Sequence, residues 1–391
     1  MSQPPFSAVK EAVTILVVNQ PITPVPLLWS RTGEGKSSFA EALARKLNYN
    51  FYQITASQID PSLILGIPVP DSDARVTRFF APEFYATPRL LLLLDEINTA
   101  PESVVAATME TIRTRRLGGR VFEDLKIIAA ANPYDEAAGG FVLPRPLRNR
   151  LVHFNWDLPL DEFAVVTAVP PHKRAQQTQS DDVEIKFARA EDVELWWAAA
   201  CGWVDGFLTR FPHLYKEQRA VPDDVNAFPS PRAWDNVKAI LAVFKAVSAS
   251  DIATYLAIAG CVGDGVAHEF VTYLRALDMP SVEDVLANPS LLTRLRADVL
   301  LAVISAIPAA VARRAEAVDS AFDVALQLEN IGRKDYAYLL ARRLVAVCTN
   351  QKIPIPMRKL LQFKDAKFLE SVHALSEVLS DEKKTNASRN R

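Results

Sequence analysis

Residues 27–47 read LLWSRTGEGKSSFAEALARKL: an apolar strand end, a turn closing on Gly-Lys-Ser, and a helix with Phe39, Leu43 and Leu47 at helical spacing. The eight positions Ser30, Arg31, Thr32, Gly33, Glu34, Gly35, Lys36 and Ser37 follow the phosphate-loop pattern G-x-x-x-x-G-K-[ST], except that serine stands first. At such a helix start the free backbone N–H groups and the helix dipole favour an anion. Gly33 and Gly35 let the backbone curl around it, Lys36 meets the β- and γ-phosphates, and the Ser37 hydroxyl holds Mg²⁺. The nucleotide contacts are therefore expected from Thr32, Gly33, Glu34, Gly35, Lys36, Ser37 and Ser38. The plainer alternative is a glycine-bearing helix start that binds nothing. Ser30 is expected to leave binding intact, because the first position shapes the turn; affinity is the quantity it puts at stake.

A second element lies 59 positions beyond Lys36. Leu90–Leu94 form a continuous apolar run, as in a central parallel strand covered on both faces, and Asp95 and Glu96 end it. Ligands of open α/β sheets bind at that edge. There Asp95 orients Mg²⁺ and Glu96 polarises a water for in-line attack. Thr99-Ala100-Pro101-Glu102 then reads as a capping box opening a helix with Val105, Met109 and Ile112 on one face. A third element, LKIIAAANP, is another buried strand that delivers Asn132 to the same edge, where its amide can hydrogen-bond the water or the γ-phosphate.

Composition sets the remaining bounds. The chain has 391 residues, 49% hydrophobic and 23% charged, with a net charge of -2. Two or three globular units are expected, with no global pull towards nucleic acid or anionic lipid. Cys201, Cys261 and Cys348 are too scattered for a disulfide framework or a zinc site. No basic segment leads a long apolar core at the N-terminus and no apolar run reaches about 18 residues, so a soluble cytoplasmic protein without membrane insertion is expected. Strand and helix patterns alternate to about residue 156, and helical patterns follow. The class is α/β: a P-loop NTPase core at 1–156 with a parallel sheet flanked by helices, an α-helical lid at 157–278, a helical C-terminal region at 279–380, and a charged, disordered tail at 381–391. The polar segment 172–182 reads as a loop, and Trp196, Trp197 and Trp203 read as helix-packing core.

The order of phosphate loop, LLLLDEINTAPESV, AAANP and LPRPLRNRL resembles the AAA+ ATPases over about residues 8–245, most closely their MoxR branch, with some likeness to midasin- and dynein-type rings. The resemblance implies ATP and Mg²⁺ as cofactors and a homo-oligomeric ring, expected to be a hexamer, that remodels a protein client or partner. A von Willebrand factor A domain protein is an implied partner. Asn132 becomes the γ-phosphate sensor, Arg150 the arginine finger reaching the neighbouring subunit, with Arg148 a second candidate, and Arg232 the second sensor on the cis phosphates. Hairpins within 61–88 and around Gly118-Gly119 would face the pore or client, with Arg113, Arg115, Arg116 and Arg120 available to an acidic partner or a nucleic acid backbone. Two other readings stand beside this one: a nucleic-acid-dependent AAA+ motor or restriction-type translocase subunit, which the near-neutral charge disfavours, and a nucleotide-gated scaffold with little turnover.

Overall fold

The computed structural model describes residues 4–80, 87–117, 120–122, 124–133, 140–167, 184–217, 226–277, 280–365 and 368. The tail 381–391, the loop 172–182 and the Gly118-Gly119 turn lie outside the described residues.

A five-stranded parallel sheet organises the N-terminal part. Its strands are β1 (Val25–Trp29), β2 (Asn50–Thr55), β5 (Leu90–Asp95), β8 (Leu125–Ala131) and β9 (Leu151–Asn155), in the spatial order β2-β5-β8-β1-β9. Every side chain of β8 is buried, as are Leu90–Leu94 of β5 and all of β1. That is the burial expected of strands covered on both faces, and each such leucine contributes about 2 kcal/mol by leaving water. Helices α1 (Phe6–Val18) and α2 (Lys36–Leu47) pack against the sheet. Asn48 closes α2 in the left-handed conformation, a common C-terminal signal.

Register sets the site. Leu94 lies opposite Ala129 across β5 and β8, and Ala131 lies opposite Trp29 across β8 and β1. Asp95, Asn132 and Ser30, one residue beyond each pair or one further, therefore emerge at nearly the same level of the carboxyl edge. The chain leaves β1, passes over to β2, and returns strand by strand to β8 beside β1. The crevice this reversal opens is where such sheets bind ligands.

Two short hairpins project from this frame: β3 (Ile67–Asp71) with β4 (Val76–Phe80), and β6 (Arg116–Leu117) with β7 (Arg120–Val121). Their helical neighbours are α3 (Ser62–Leu65) and α4 (Glu102–Thr114). The expected capping box before α4 does not form. Pro101 is the N-cap, with no side-chain cap bond, because the Thr99 hydroxyl donates to Glu96 O at 3.0 Å.

After β9 the elements are helical: α5 (Arg145–Arg148) precedes that strand, and α6 (Leu160–Thr167), α7 (Ala190–Arg210), α8 (Pro231–Ala246), α9 (Asp251–Val262) and α10 (Asp264–Arg275) follow it. The chain divides into two compact units, residues 1–188 with 214–269, and 189–213 with 270–391. They are discontinuous in sequence, whereas the sequence reading divides the chain at 156 and 278. The reason is α7, whose closest packing is on α12 (Ala297–Arg313): a Cβ on Gly202 would lie 2.7 Å from Ser305 Cβ. The second unit has its own core, with Leu300, Ile304, Phe322, Leu328, Leu340 and Leu344 among its buried side chains. Trp197 of α7 is a correction to the sequence reading, whereas Trp196 and Trp203 pack on each other with ring centroids 6.2 Å apart. Trp197 is 39% exposed and Trp196 and Trp203 are half-buried, while Ala199, Ala200, Val204 and Phe207 form the buried face.

No helix among the described residues is long and apolar enough to cross a membrane.

Candidate nucleotide site

The loop between β1 and α2 adopts left-handed backbone at Gly33 (φ 89°) and Gly35 (φ 78°), and not at Ser30. Glycine is therefore needed where it is found, and serine is tolerated at the first position. Ser30 continues β1 instead: its N–H donates to Ala131 O at 3.2 Å, and its carbonyl accepts from Lys36 Nζ at 2.9 Å. Ser37 is half-buried at the first turn of α2, while Thr32 and Ser38 are exposed. Glu34 ties the loop to the segment after β9: its carbonyl accepts from Trp156 Nε1 at 3.1 Å and its carboxylate from Leu158 N at 3.2 Å. Burial raises the Glu34 carboxyl above its ordinary range, against that backbone bond.

Lys36 is buried at 7% exposure, and its ammonium also donates to Asn132 Oδ1 at 3.0 Å. The lysine of the loop and the amide of β8 thus meet across 96 residues of chain. Burial lowers the Lys36 pKa while Asp95, Glu34 and Glu96 oppose the shift. Burial likewise raises Asp95, with Lys36 the largest opposing influence. Each is pushed towards neutrality by lost water and held charged by the other, so the cluster is electrostatically poised for a polyanion with a cation.

Three polar residues to which the sequence reading gives no role complete the arrangement. Gln53 Nε2 donates to Asp95 Oδ2 at 3.0 Å, and Ser57 Oγ donates to Glu96 Oε2 at 2.6 Å. Asn98, fully buried, donates through Nδ2 to Asn132 O at 2.8 Å and accepts from Asn132 N at 3.3 Å. Glu96 itself has φ 55°, a left-handed backbone unusual for a side chain of this size. The turn is held by Ile97 N donating to Ala130 O at 3.1 Å and by the Thr99 bond to Glu96 O. Strain at a residue so over-determined is a mark of a functional site. Position after the aspartate at a strand end, and not residue type, is the signal that could have found Asn98.

The arginines separate by environment. Arg148 is buried at 5% exposure, its guanidinium 5.8 Å from the Phe228 ring centroid. Arg150 is half-buried, and its Nη1 donates to Pro146 O at 2.6 Å. Its pKa is lowered by burial first and then by the charges of Arg232 and Arg113. Arg232, exposed at the start of α8, thus stands by the arginine turn. Ser230, the cap of α8, fixes this by donating to Asn149 Oδ1 at 2.6 Å and accepting from Ala233 N at 3.0 Å. Among the hairpin arginines, Arg113 pairs with Glu110 at 2.7 Å and Arg116 is exposed. Arg115 corrects the sequence reading: it turns inward to Gln20 Oε1 at 2.8 Å, and burial lowers its pKa to about 10. The Arg120 side chain lies outside the described residues.

A cavity of about 680 Å³ lies among α1, the end of β9 and α9. Phe6, Val9, Leu256 and Ala259 give it apolar walls, and Asn155, Asp157, Tyr255 and Asp264 give it polar groups. Its size and lining suit a small aromatic ligand. Among the described residues no three His, Cys, Asp or Glu side chains are grouped to hold a metal. Magnesium, which takes one or two protein oxygens and fills its shell with water and phosphate oxygens, would be held here by Ser37 and Asp95.

Residues 26–153 match a family model described as "ATPase family associated with various cellular activities (AAA)", a stretch from β1 into β9 that covers about a third of the chain. Comparison with curated proteins gives no match. The parallel sheet with its helical flanks and C-terminal helices fits an AAA+ P-loop core with a helical lid. Sheet order, the cluster at its carboxyl edge and the family match together support an AAA+ ATPase.

Proposed function

We propose that the chain is a MoxR-like AAA+ ATPase that hydrolyses Mg-ATP in a ring oligomer and remodels a protein partner. One observation carries the catalytic part: Lys36 Nζ lies 3.0 Å from Asn132 Oδ1, with Asp95 and Glu96 close enough to act on the same ammonium. In this reading the loop N–H groups and Lys36 bind the β- and γ-phosphates, and Ser37 and Asp95 hold magnesium, which neutralises phosphate charge when bound. Glu96 orients and polarises the attacking water, and Asn132 hydrogen-bonds the γ-phosphate or that water. The base occupies the cavity walled by Phe6 and Leu256.

The finger is Arg150. Arg148 is enclosed over Phe228, whereas Arg150 is half-buried beside Arg232 and Arg113, whose charges lower its pKa after burial while Glu110 opposes them. Arg232, which stands beside Arg150, is the second sensor on the cis phosphates. Exposed Ile67, Val76, Phe79 and Phe80 on the β3–β4 hairpin support contact with a protein client.

Steady-state ATP turnover across a dilution series tests this reading. Turnover per protomer is expected to rise with protein concentration, and Arg150→Ala to keep ATP binding while losing on the order of 10³-fold in kcat. Full turnover by a dilute monomer would refute it.

A further inference from the structure

Trp29, His153 and Arg148 form a hydrogen-bonded bridge between β1, β9 and α5. Trp29 Nε1 donates to His153 Nδ1 at 3.0 Å, and His153 Nε2 donates to Arg148 O at 2.9 Å. An indole N–H only donates and a carbonyl only accepts, so these partners fix a neutral imidazole with its proton on Nε2. The imidazole and indole planes lie 17° apart, with ring centroids 6.2 Å apart. Both ends of the bridge reach functional elements. Trp29 immediately precedes Ser30, whose carbonyl accepts from Lys36. Arg148 is followed by Asn149, which accepts from the cap of the helix bearing Arg232, and then by Arg150. On the other side Gly260 of α9 approaches so closely that a Cβ there would lie 2.5 Å from His153 O, which pins β9 at this residue.

We propose that His153 is a positioning residue that holds the arginine turn in register with the phosphate loop, so that each protomer's own loop sets the arginine it presents to its neighbour. The inference rests on the ATPase reading above.

Three variants of the full chain separate the joints. His153→Phe removes both bonds, Trp29→Phe removes the first, and His153→Gln keeps a donor for Arg148 O. Melting temperature, affinity for a fluorescent N-methylanthraniloyl ATP and kcat are measured for each. His153→Phe is expected to lower kcat by about tenfold or more with affinity within about threefold, and His153→Gln to restore most of the loss. With Arg150→Ala already present, His153→Phe should cost little more, because both act through one arginine. Wild-type kcat in folded His153→Phe, equal loss in the Phe and Gln variants, or a full multiplicative loss beside Arg150→Ala would each overturn the proposal. Should His153→Phe fail to fold, Trp29→Phe replaces it in the same cycle with Arg150→Ala, and full multiplicative loss there again overturns it. A defective Arg150→Ala with normal His153 variants defeats the positioning role alone. An inert wild type, or a fully active Arg150→Ala, defeats the ATPase reading as well.

Discussion

Asn98 and Asn132 exchange two hydrogen bonds, Asn98 Nδ2 to Asn132 O at 2.8 Å and Asn132 N to Asn98 Oδ1 at 3.3 Å. A side chain two residues past Glu96 thereby fixes the peptide that aims the Asn132 amide at Lys36. Asn98→Ala removes both bonds from a buried position. It should lower kcat by roughly 10- to 100-fold, as loss of a supporting partner does, with a smaller change in nucleotide affinity. Parallel measurement of kcat and ATP affinity checks this; equal losses in both would point to a general loosening of the fold.

Ser57 holds Glu96 by donating to its Oε2 at 2.6 Å. A carboxylate so held is oriented towards the phosphate edge of the sheet. Ser57→Ala is therefore expected to change kcat by about threefold or more while leaving ATP binding as it was. Parallel measurement of kcat and ATP affinity gives the direct check, and an unchanged kcat would show that Ser57 does not orient Glu96.

His153 gives folding stability a pH dependence. Burial lowers its pKa from 6.5 to about 4, so the native state keeps it neutral where the unfolded chain takes up a proton. Its contribution is complete above pH 6.5 and is lost as pH falls through about 4. Between pH 7.5 and 5 this group should cost on the order of 2 kcal/mol. Urea unfolding of the wild type and His153→Gln at the two pH values tests it: the variant should show the smaller drop.

Gly260 should not tolerate a side chain. A Cβ would stand 2.5 Å from His153 O and 2.8 Å from Val152 Cγ1, contacts that only a shift of α9 or β9 relieves. Gly260→Ala should lower stability by about 1–3 kcal/mol despite alanine's better helix propensity. A rise in melting temperature would show that α9 has room to move.

The α/β core was legible because its signals are long or paired. The Leu90–Leu94 run can hardly be anything but a buried strand, and Gly-Lys-Ser after an apolar strand announces a loop at a helix start. Gln53, Ser57 and Asn98 were not legible: each is a single polar residue whose role depends on which strand ends beside it, and that is a matter of sheet order. Thr99 illustrates the competition, since its hydroxyl satisfied either a cap or the carbonyl of a strained Glu96, and the strained turn took it. Arg115 likewise sits in a basic run that reads as a charged face, yet its left-handed backbone turns the side chain inward to Gln20. Helix periodicity located α7 but not its partner, because an apolar face does not say which other face will cover it.

The account stands most directly on isothermal calorimetry and single-turnover hydrolysis of Mg-ATP by the wild type and Glu96→Gln. It predicts ATP uptake by both proteins, with γ-phosphate release in the wild type and a loss of about 10²-fold or more in the variant. No heat of ATP binding from well-folded protein, or equal hydrolysis by the two, would contradict it.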